Sequence, residues 1–314
     1  TIKVNRYLPY CCTAIHDGSK LRAELKTKIE HDEYNRWFEE DPFTGDFIAS
    51  MPITIIGNDT RFEYDLNRTP DDCVSETAWG KNVWKKKLTP KERQRSLQKH
   101  ANYYKVIHAL IAKLEDLFGG CIVYDMHSYN HKRWDRKVPL FNIGAERIDM
   151  NRFGAVVEHW RSELETIKLD NIENISAIND VFYGRGYNLE YITKNFKNTL
   201  VLATEIKKVY CNELTGDDYP NIIKSLQQQL KLRILNNANF FSQNNSNWGH
   251  NLKSKLLDKT IQSSILKVDK EMYHLLKNFE LLAFVNPNNY TQEKKRFFRN
   301  QCSELPKFKY NPIR

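Results

Sequence analysis

Four short stretches concentrate side chains that can hold a cation or move a proton: His16-Asp17-Gly18, Glu39-Glu40-Asp41-Pro42, Asp125-Met126-His127-Ser128 and Thr204-Glu205-Ile206. Two histidines and one carboxylate with an open fourth position are a common set of catalytic zinc ligands. Neutral imidazole and carboxylate suit that ion, and the open position admits the water to be activated. Each stretch alone has a plainer reading. A histidine after a strand is more often a core or turn residue, and a glutamate near a strand end is more often a surface ion pair. EEDPFT at 39–44 reads as a turn opening a helix, with Asp41 as its cap.

A fifth stretch, DTRFEYDLNR at 59–68, crowds Arg61, Asp65, Asn67 and Arg68 together. Its apolar members Phe62, Tyr64 and Leu66 alternate as in a strand, which would put Arg61, Glu63, Asp65 and Asn67 on one face. That face is either simply wet or a carboxylate clamp, in which guanidinium groups and an amide donor receive the ligand and Asp65 holds an arginine in place.

The elements that must position these residues alternate. Strand-like runs at 8–15, 53–57, 121–126, 139–144 and 198–206 are separated by segments of helical periodicity, notably 96–120, 152–167 and 219–241. Gly119-Gly120 marks the end of the first helix. Strands alternating with helices of this length predict an α/β architecture with a largely parallel sheet. In such sheets functional groups gather at the carboxyl ends of strands, and three of the four acidic or histidine stretches lie there.

At 314 residues the chain is long enough for one large domain, or one domain with an extension. With 40% hydrophobic and 28% charged residues it reads as a soluble globular protein, and no run approaches the roughly 20 apolar residues of a membrane span. TIKVNRYLPYCC lacks the apolar centre of a signal peptide. Cys11, Cys12, Cys73, Cys121, Cys211 and Cys302 are scattered without a CxxC pair, which predicts reduced thiols and a cytoplasmic setting. The net charge of +9 is dispersed, with local clusters at Lys85–Lys87 and Lys294–Arg299 that read as solvated helix faces. SQNNSNWGH at 242–250 is linker-like, so residues 1–242 form the expected main domain and 243–314 a linker and helical extension.

The order of these motifs resembles the N-formylglutamate amidohydrolase family, relatives of the zinc carboxypeptidases, over roughly residues 7–240. His16-Asp17-Gly18 is similar to the family's His-x-Gly, Asp41 to the acidic ligand after it, and DTRFEYDLNR to its Arg…Asp-Leu-Asn-Arg signature. YDMHS is similar to its Asp-x-His-Ser, and TEIKKVY to its late Glu-Ile-x-x-x-Tyr segment. The resemblance implies a three-layer α/β/α fold with a central mixed sheet, phosphorylase/hydrolase-like, and one zinc ion (Zn2+) held by His16, Asp41 and His127. Glu40 is the alternative if the match is displaced by one residue. It further implies that Asn67 and Arg68 bind a substrate carboxylate with Arg61 assisting, and that Glu205 is the general base. Asp65, Asp125 and Ser128 would support these groups from behind. The chain departs from the family in Asp17, Ile15 and the Lys207-Lys208 pair, where relatives commonly carry a small residue, a proline and an arginine.

The segment 285–310 resembles the opening of QEGLA-motif proteins, which are similar to tyrosine carboxypeptidases, although no His-Glu-x-x-x-His follows. The extension is therefore either the start of a second domain or a helical appendage. The expected activity is hydrolysis of an amide in a small anionic N-acyl amino acid or peptide. Two rival readings are a module that keeps the fold without turnover and, from the charge, a nucleic-acid-binding protein, whose binding would be steeply salt-dependent. No membrane partner is expected, and oligomeric state is not legible.

Overall fold

The computed structural model describes residues 1–244. In chain order its strands are β1 (Ile2–Val4), β2 (Tyr10–Ala14), β3 (Ile53–Ile56), β4 (Thr77–Ala78), β5 (Lys81–Asn82), β6 (Cys121–Tyr129), β7 (Phe141–Gly144), β8 (Ser176–Ile178) and β9 (Thr199–Lys207). The α-helices are α1 (Glu33–Glu39), α2 (Thr44–Ile48), α3 (Pro90–Phe118), α4 (Met150–Glu165), α5 (Tyr187–Asn195) and α6 (Pro220–Asn244).

Seven strands form one sheet in the order β1-β3-β2-β6-β9-β7-β8. The centre, β3-β2-β6-β9, is parallel, while β1 and β7 run antiparallel to their inner neighbours, so the sheet is mixed. Every residue of β6 is buried, as a central strand covered on both faces requires. Tyr124 points to one face, where its hydroxyl reaches Asn237 of α6 and its ring meets Trp160 of α4. Asp125 points to the other, toward Asn188 of α5, which in turn accepts from Tyr103 of α3. Helices thus cover both faces, and the three-layer α/β/α arrangement follows.

Local sequence explains the longest helix. Thr89 and Glu92 form a capping box, Pro90 takes the first turn, and Gly119 closes the helix in the left-handed region at φ 79°. The helix starts six residues before the periodic stretch at 96–120, because the cap lies in the polar segment ahead of it.

Three expectations are corrected. The 121–126 strand continues through Tyr129, so Asp125 and His127 are neighbours on one strand face, not the polar finish of a strand. DTRFEYDLNR is not a strand: it turns at Thr60–Glu63 and again at Asp65–Arg68. Glu63 accordingly points away from Arg61 and pairs with Arg22 and Lys99. Asp41 does not cap α2, whose N-cap is Phe43. Instead the Asp41 carbonyl accepts from Thr44, and the carboxylate is free to face elsewhere.

Cys11, Cys12, Cys73, Cys121 and Cys211 are buried, unbridged thiols. No helix among the described residues is long and apolar enough to cross a membrane. Helix α6 continues past the expected boundary at 242 to Asn244; the rest of the linker, the extension with its QEGLA-like segment, and Cys302 lie outside the described residues.

Candidate metal centre and substrate cleft

Parallel register builds the first half of the site. Thr13 of β2 lies beside Asp125 of β6, and His127 of β6 lies beside Glu205 of β9. Thr13 Oγ1 donates to Asp125 Oδ1 at 2.6 Å, and Asn188 Nδ2 donates to Asp125 Oδ2 at 2.9 Å. The Asp125 carboxylate, fixed by these two donors, meets His127 Nε2 at 3.0 Å. A carboxylate can only accept, so His127 Nε2 carries a proton, and Nδ1 is the ring nitrogen that turns the other way and is left to ligate when the second proton is lost.

His16, two residues past β2, repeats the device. Its Nε2 lies 2.7 Å from Asp65 Oδ1. Asp65 is itself fixed by Arg61, whose Nε and Nη2 reach Oδ2 at 3.2 and 2.8 Å, and by the Asn67 amide at 2.8 Å. Both histidines aim Nδ1 at one atom: Asp41 Oδ2 is 3.3 Å from His16 and 3.2 Å from His127. Ser128 Oγ donates to the second Asp41 oxygen at 3.3 Å.

Asp41 is delivered by the end of α1. Its amide donates to His16 O at 3.0 Å. The last carbonyls of a helix have no partner within it and attract cations. Here Asn130 Nδ2 and Lys208 Nζ donate to Phe38 O at 2.7 and 2.8 Å, Arg61 donates to Glu39 O at 3.2 Å, and Lys208 donates to Glu40 O at 2.7 Å. Lys208 is buried, and burial lowers its pKa against the pull of Asp41.

Burial alone would push Asp41 up, yet the hydrogen bond to His127 and the close approach of His16 outweigh it and hold the carboxyl far below the usual range. Asp65 and Asp125 behave alike: burial is opposed and overcome by Arg61 and His16 in the first, and by His127, Thr13 and Asn188 in the second. Burial would lower His127, but Asp125 and Asp41 raise it well above an ordinary histidine. Glu205 differs. Burial, with Asp41 adding to it, pushes its carboxyl up to about 8 despite His127 and Arg61.

The donor set fits a divalent metal. His16, Asp41 and His127 are buried and their ligand atoms lie within 4.8 Å of one another. His16 Nδ1 has no hydrogen-bond partner. Without metal a proton on His127 Nδ1 meets Asp41 Oδ2, and a divalent cation held by the same three groups would take that proton's place. Donors at about 2.0–2.1 Å from a tetrahedral zinc are roughly 3.3 Å apart, which the Asp41–histidine spacings match. Among the described residues this is the one such group, and Asp41, not Glu40, completes it.

A cleft of about 360 Å³ opens over these atoms. Asn67, Arg68, Glu205 and Lys208 line it beside the triad, with Arg133, Trp134, Phe182, Tyr183 and Trp79 among its other walls. The turn carrying Asn67 and Arg68 is held carbonyl by carbonyl: Leu66 O accepts from Tyr104 OH at 2.5 Å, Asn67 O from the Tyr187 amide at 3.2 Å, and Arg68 O meets His100 Nε2 at 3.0 Å. A Cβ at Gly186 would fall 2.2 Å from Asn67 Oδ1, so a larger residue there would displace the Asn67 side chain. Asn67 Oδ1 accepts from the Asn188 amide at 3.2 Å. Arg61 is committed to Asp65 and Glu39 O, so it braces the site, whereas Arg68 is exposed to the cleft.

Asn188, Thr13 and Lys208 were not among the expected site residues. Asn188 lies in a helix of nine residues, too short to show a period, and Lys208 stands out only as part of the Lys207-Lys208 departure from the family pattern. Thr13 is legible only from the register of β2 against β6.

Compared with known proteins, the sequence profile of the family described as FGase, N-formylglutamate amidohydrolase, matches residues 8–210. The chain belongs to the N-formylglutamate amidohydrolase family. A crystal structure of N-formylglutamate amidohydrolase from Ralstonia eutropha JMP134 is similar at 19% identity and a TM-score of 0.65, covering 77% of this chain and 97% of that one. A gene product of Agrobacterium tumefaciens is similar at 13% identity and a TM-score of 0.54, covering 74% and 92%. At these identities the structures support the fold. Comparison with curated proteins gives no match. Family membership supports hydrolase activity on a small amide and agrees with the expectation from the motifs.

Proposed function

We propose that this member of the family is a zinc-dependent amidohydrolase that cleaves the amide of an N-acyl amino acid, and that residues 1–242 carry the activity. The convergence of two carboxylate-oriented histidines on Asp41 carries this reading. His16 Nδ1, His127 Nδ1 and Asp41 would hold the metal. A zinc ion so held supplies Lewis acidity toward a carbonyl and lowers the pKa of water from about 16 to near 7.

The chain's own residues do the rest. Asp65 and Asp125 keep the two Nε2 atoms protonated, which reserves both Nδ1 atoms for ligation. Arg68 receives the substrate carboxylate, and Asn67, its Oδ1 engaged by Asn188, offers Nδ2 as a further donor. Glu205, beside His127, takes a proton from the attacking water and returns it to the leaving nitrogen as the amide C–N bond breaks. A carboxyl raised toward neutrality is matched to both halves of that transfer.

The test is hydrolysis of N-formyl and N-acetyl amino acids before and after chelation. Activity should vanish with the chelator and return with zinc, and Glu205→Gln should keep the metal while losing about 10²–10⁴ in kcat. Turnover that survives complete metal removal, or a fully active Glu205→Gln protein, would overturn the mechanism.

A further inference from the structure

Strands β4 and β5 form a hairpin, Thr77 facing Asn82 and Ala78 facing Lys81, so Trp79-Gly80 is its two-residue turn. Both turn residues have positive φ, 49° at Trp79 and 75° at Gly80, as in a type I′ turn. Such turns favour Asn-Gly, because a bulky L side chain meets steric resistance in the left-handed region. An aromatic residue there is an outlier, and outliers of this kind cluster at ligand sites. Core packing does not offset the strain, since Trp79 is 39% exposed.

The indole instead stands between two cavities. The main cleft and a second cavity of about 260 Å³ share Arg61, Arg68 and Trp79 as lining. The Arg61 guanidinium lies 5.1 Å from the indole centroid and the Phe62 ring 5.4 Å from it. Beyond the three shared residues the second cavity is walled by Phe62, Cys73, Ala78 and Val83, with Ser75, Thr77 and Asp65 as its polar members. Phe62 and Val83 belong to a small hydrophobic cluster separate from the main core.

Charge at the neck decides what the cavity accepts. Arg61 is neutralised by Asp65, whose carboxylate also lines the cavity and repels an acid. Arg68 is the cation assigned above to the substrate carboxylate, so none remains for a second one. We propose that this second cavity is the side-chain pocket for the substrate's carboxylate-bearing residue, that Trp79 forms its wall, and that it selects an apolar side chain over an acidic one. The inference rests on the reading of Arg68 as the carboxylate anchor.

The test compares N-formyl-leucine, N-formylglycine and N-formylglutamate in turnover and, separately, in calorimetric binding to the zinc-loaded protein. N-formyl-leucine should exceed both others at least tenfold in kcat/KM and in affinity, as a filled apolar pocket provides. In Trp79→Asn that preference for leucine over glycine should collapse. Asparagine suits the left-handed turn, so its thermal midpoint should equal or exceed wild type, which separates a lost contact from a lost fold. Trp79→Phe should restore part of the preference. Equal or better handling of N-formylglutamate, or a leucine preference intact in Trp79→Asn, overturns the proposal. Leucine-selective binding without hydrolysis would leave the pocket standing and remove the hydrolase mechanism, so the two failures are distinguishable.

Discussion

Replacing Asp65 by asparagine keeps its shape and removes its charge, and the consequences separate in the metal-free and metal-loaded protein. The carboxylate accepts from His16 Nε2, from two Arg61 nitrogens and from the Asn67 amide. Breaking one side of a buried ion pair costs about 3–5 kcal/mol. Arg61 keeps its bond to Glu39 O and 12% side-chain exposure, so the lower end, about 3 kcal/mol, applies to the metal-free protein. The second effect falls on His16. Losing the carboxylate that fixes a ligand imidazole costs about 10–100-fold in metal affinity, equivalent to roughly 1.4–2.7 kcal/mol. A bound metal stabilises the fold in proportion to its affinity, so the loaded Asp65→Asn protein should lose about 4–6 kcal/mol against about 3 without metal. At 2–4 °C per kcal/mol for a domain of this size, thermal unfolding with and without zinc resolves the difference. Chelator competition measures the affinity directly. Equal destabilisation in both states with wild-type zinc affinity would refute the reasoning, since Asp65 would then brace Arg61 alone.

Three further outcomes are expected. Arg68→Ala should raise KM for an N-acyl amino acid about ten- to hundredfold with a smaller change in kcat, because the guanidinium binds substrate and transition state alike; steady-state kinetics decides it. Lys208→Met should leave Glu40 O without its donor while Phe38 O keeps Asn130, so the loss is near one unsatisfied carbonyl, about 1–3 kcal/mol in urea unfolding, with weaker zinc binding as Asp41 loosens. Glu213 is buried, accepts from the His131 amide at 2.7 Å, and has its pKa lowered because these contacts outweigh the burial that opposes them. Its contribution is therefore present above the ordinary glutamate pKa near 4.3 and is lost as pH falls through the lowered folded value. Glu213→Gln should be less stable than wild type by about 1–2 kcal/mol at pH 7, and the gap should narrow toward pH 3 in unfolding curves.

Much of the site was legible because its chemistry is written in short motifs, and the parts that were not depend on distant segments. Periodicity located the four strands of the parallel centre, and the spacing of Gly119-Gly120 ended α3 correctly. The run at 121–126 was read too short because His127 and Ser128 look like a polar end, whereas the cleft lets a central strand carry buried polar side chains. DTRFEYDLNR alternates as a strand does, yet its polar groups have stronger partners in turns: Asp65 collects Asn67 N and Arg61, and Glu63 collects Arg22 and Lys99. Helices α1 and α5, of seven and nine residues, are too short for a period to show. Asn188 was missed with the second. Trp-Gly is not a turn dipeptide by propensity, so the Trp79 hairpin could not be foreseen. The alternative of Glu40 in place of Asp41 needed the register of His16 O against the Asp41 amide.

The central claim is that one metal is held by His16 Nδ1, His127 Nδ1 and Asp41. Zinc-edge X-ray absorption on the purified protein, with elemental analysis beside His16→Ala and His127→Ala, tests it most directly. The expected result is about one zinc per chain with nitrogen and oxygen neighbours near 2.0–2.1 Å, and substoichiometric metal in both variants. Sulfur neighbours, or full zinc content in both variants, would contradict it.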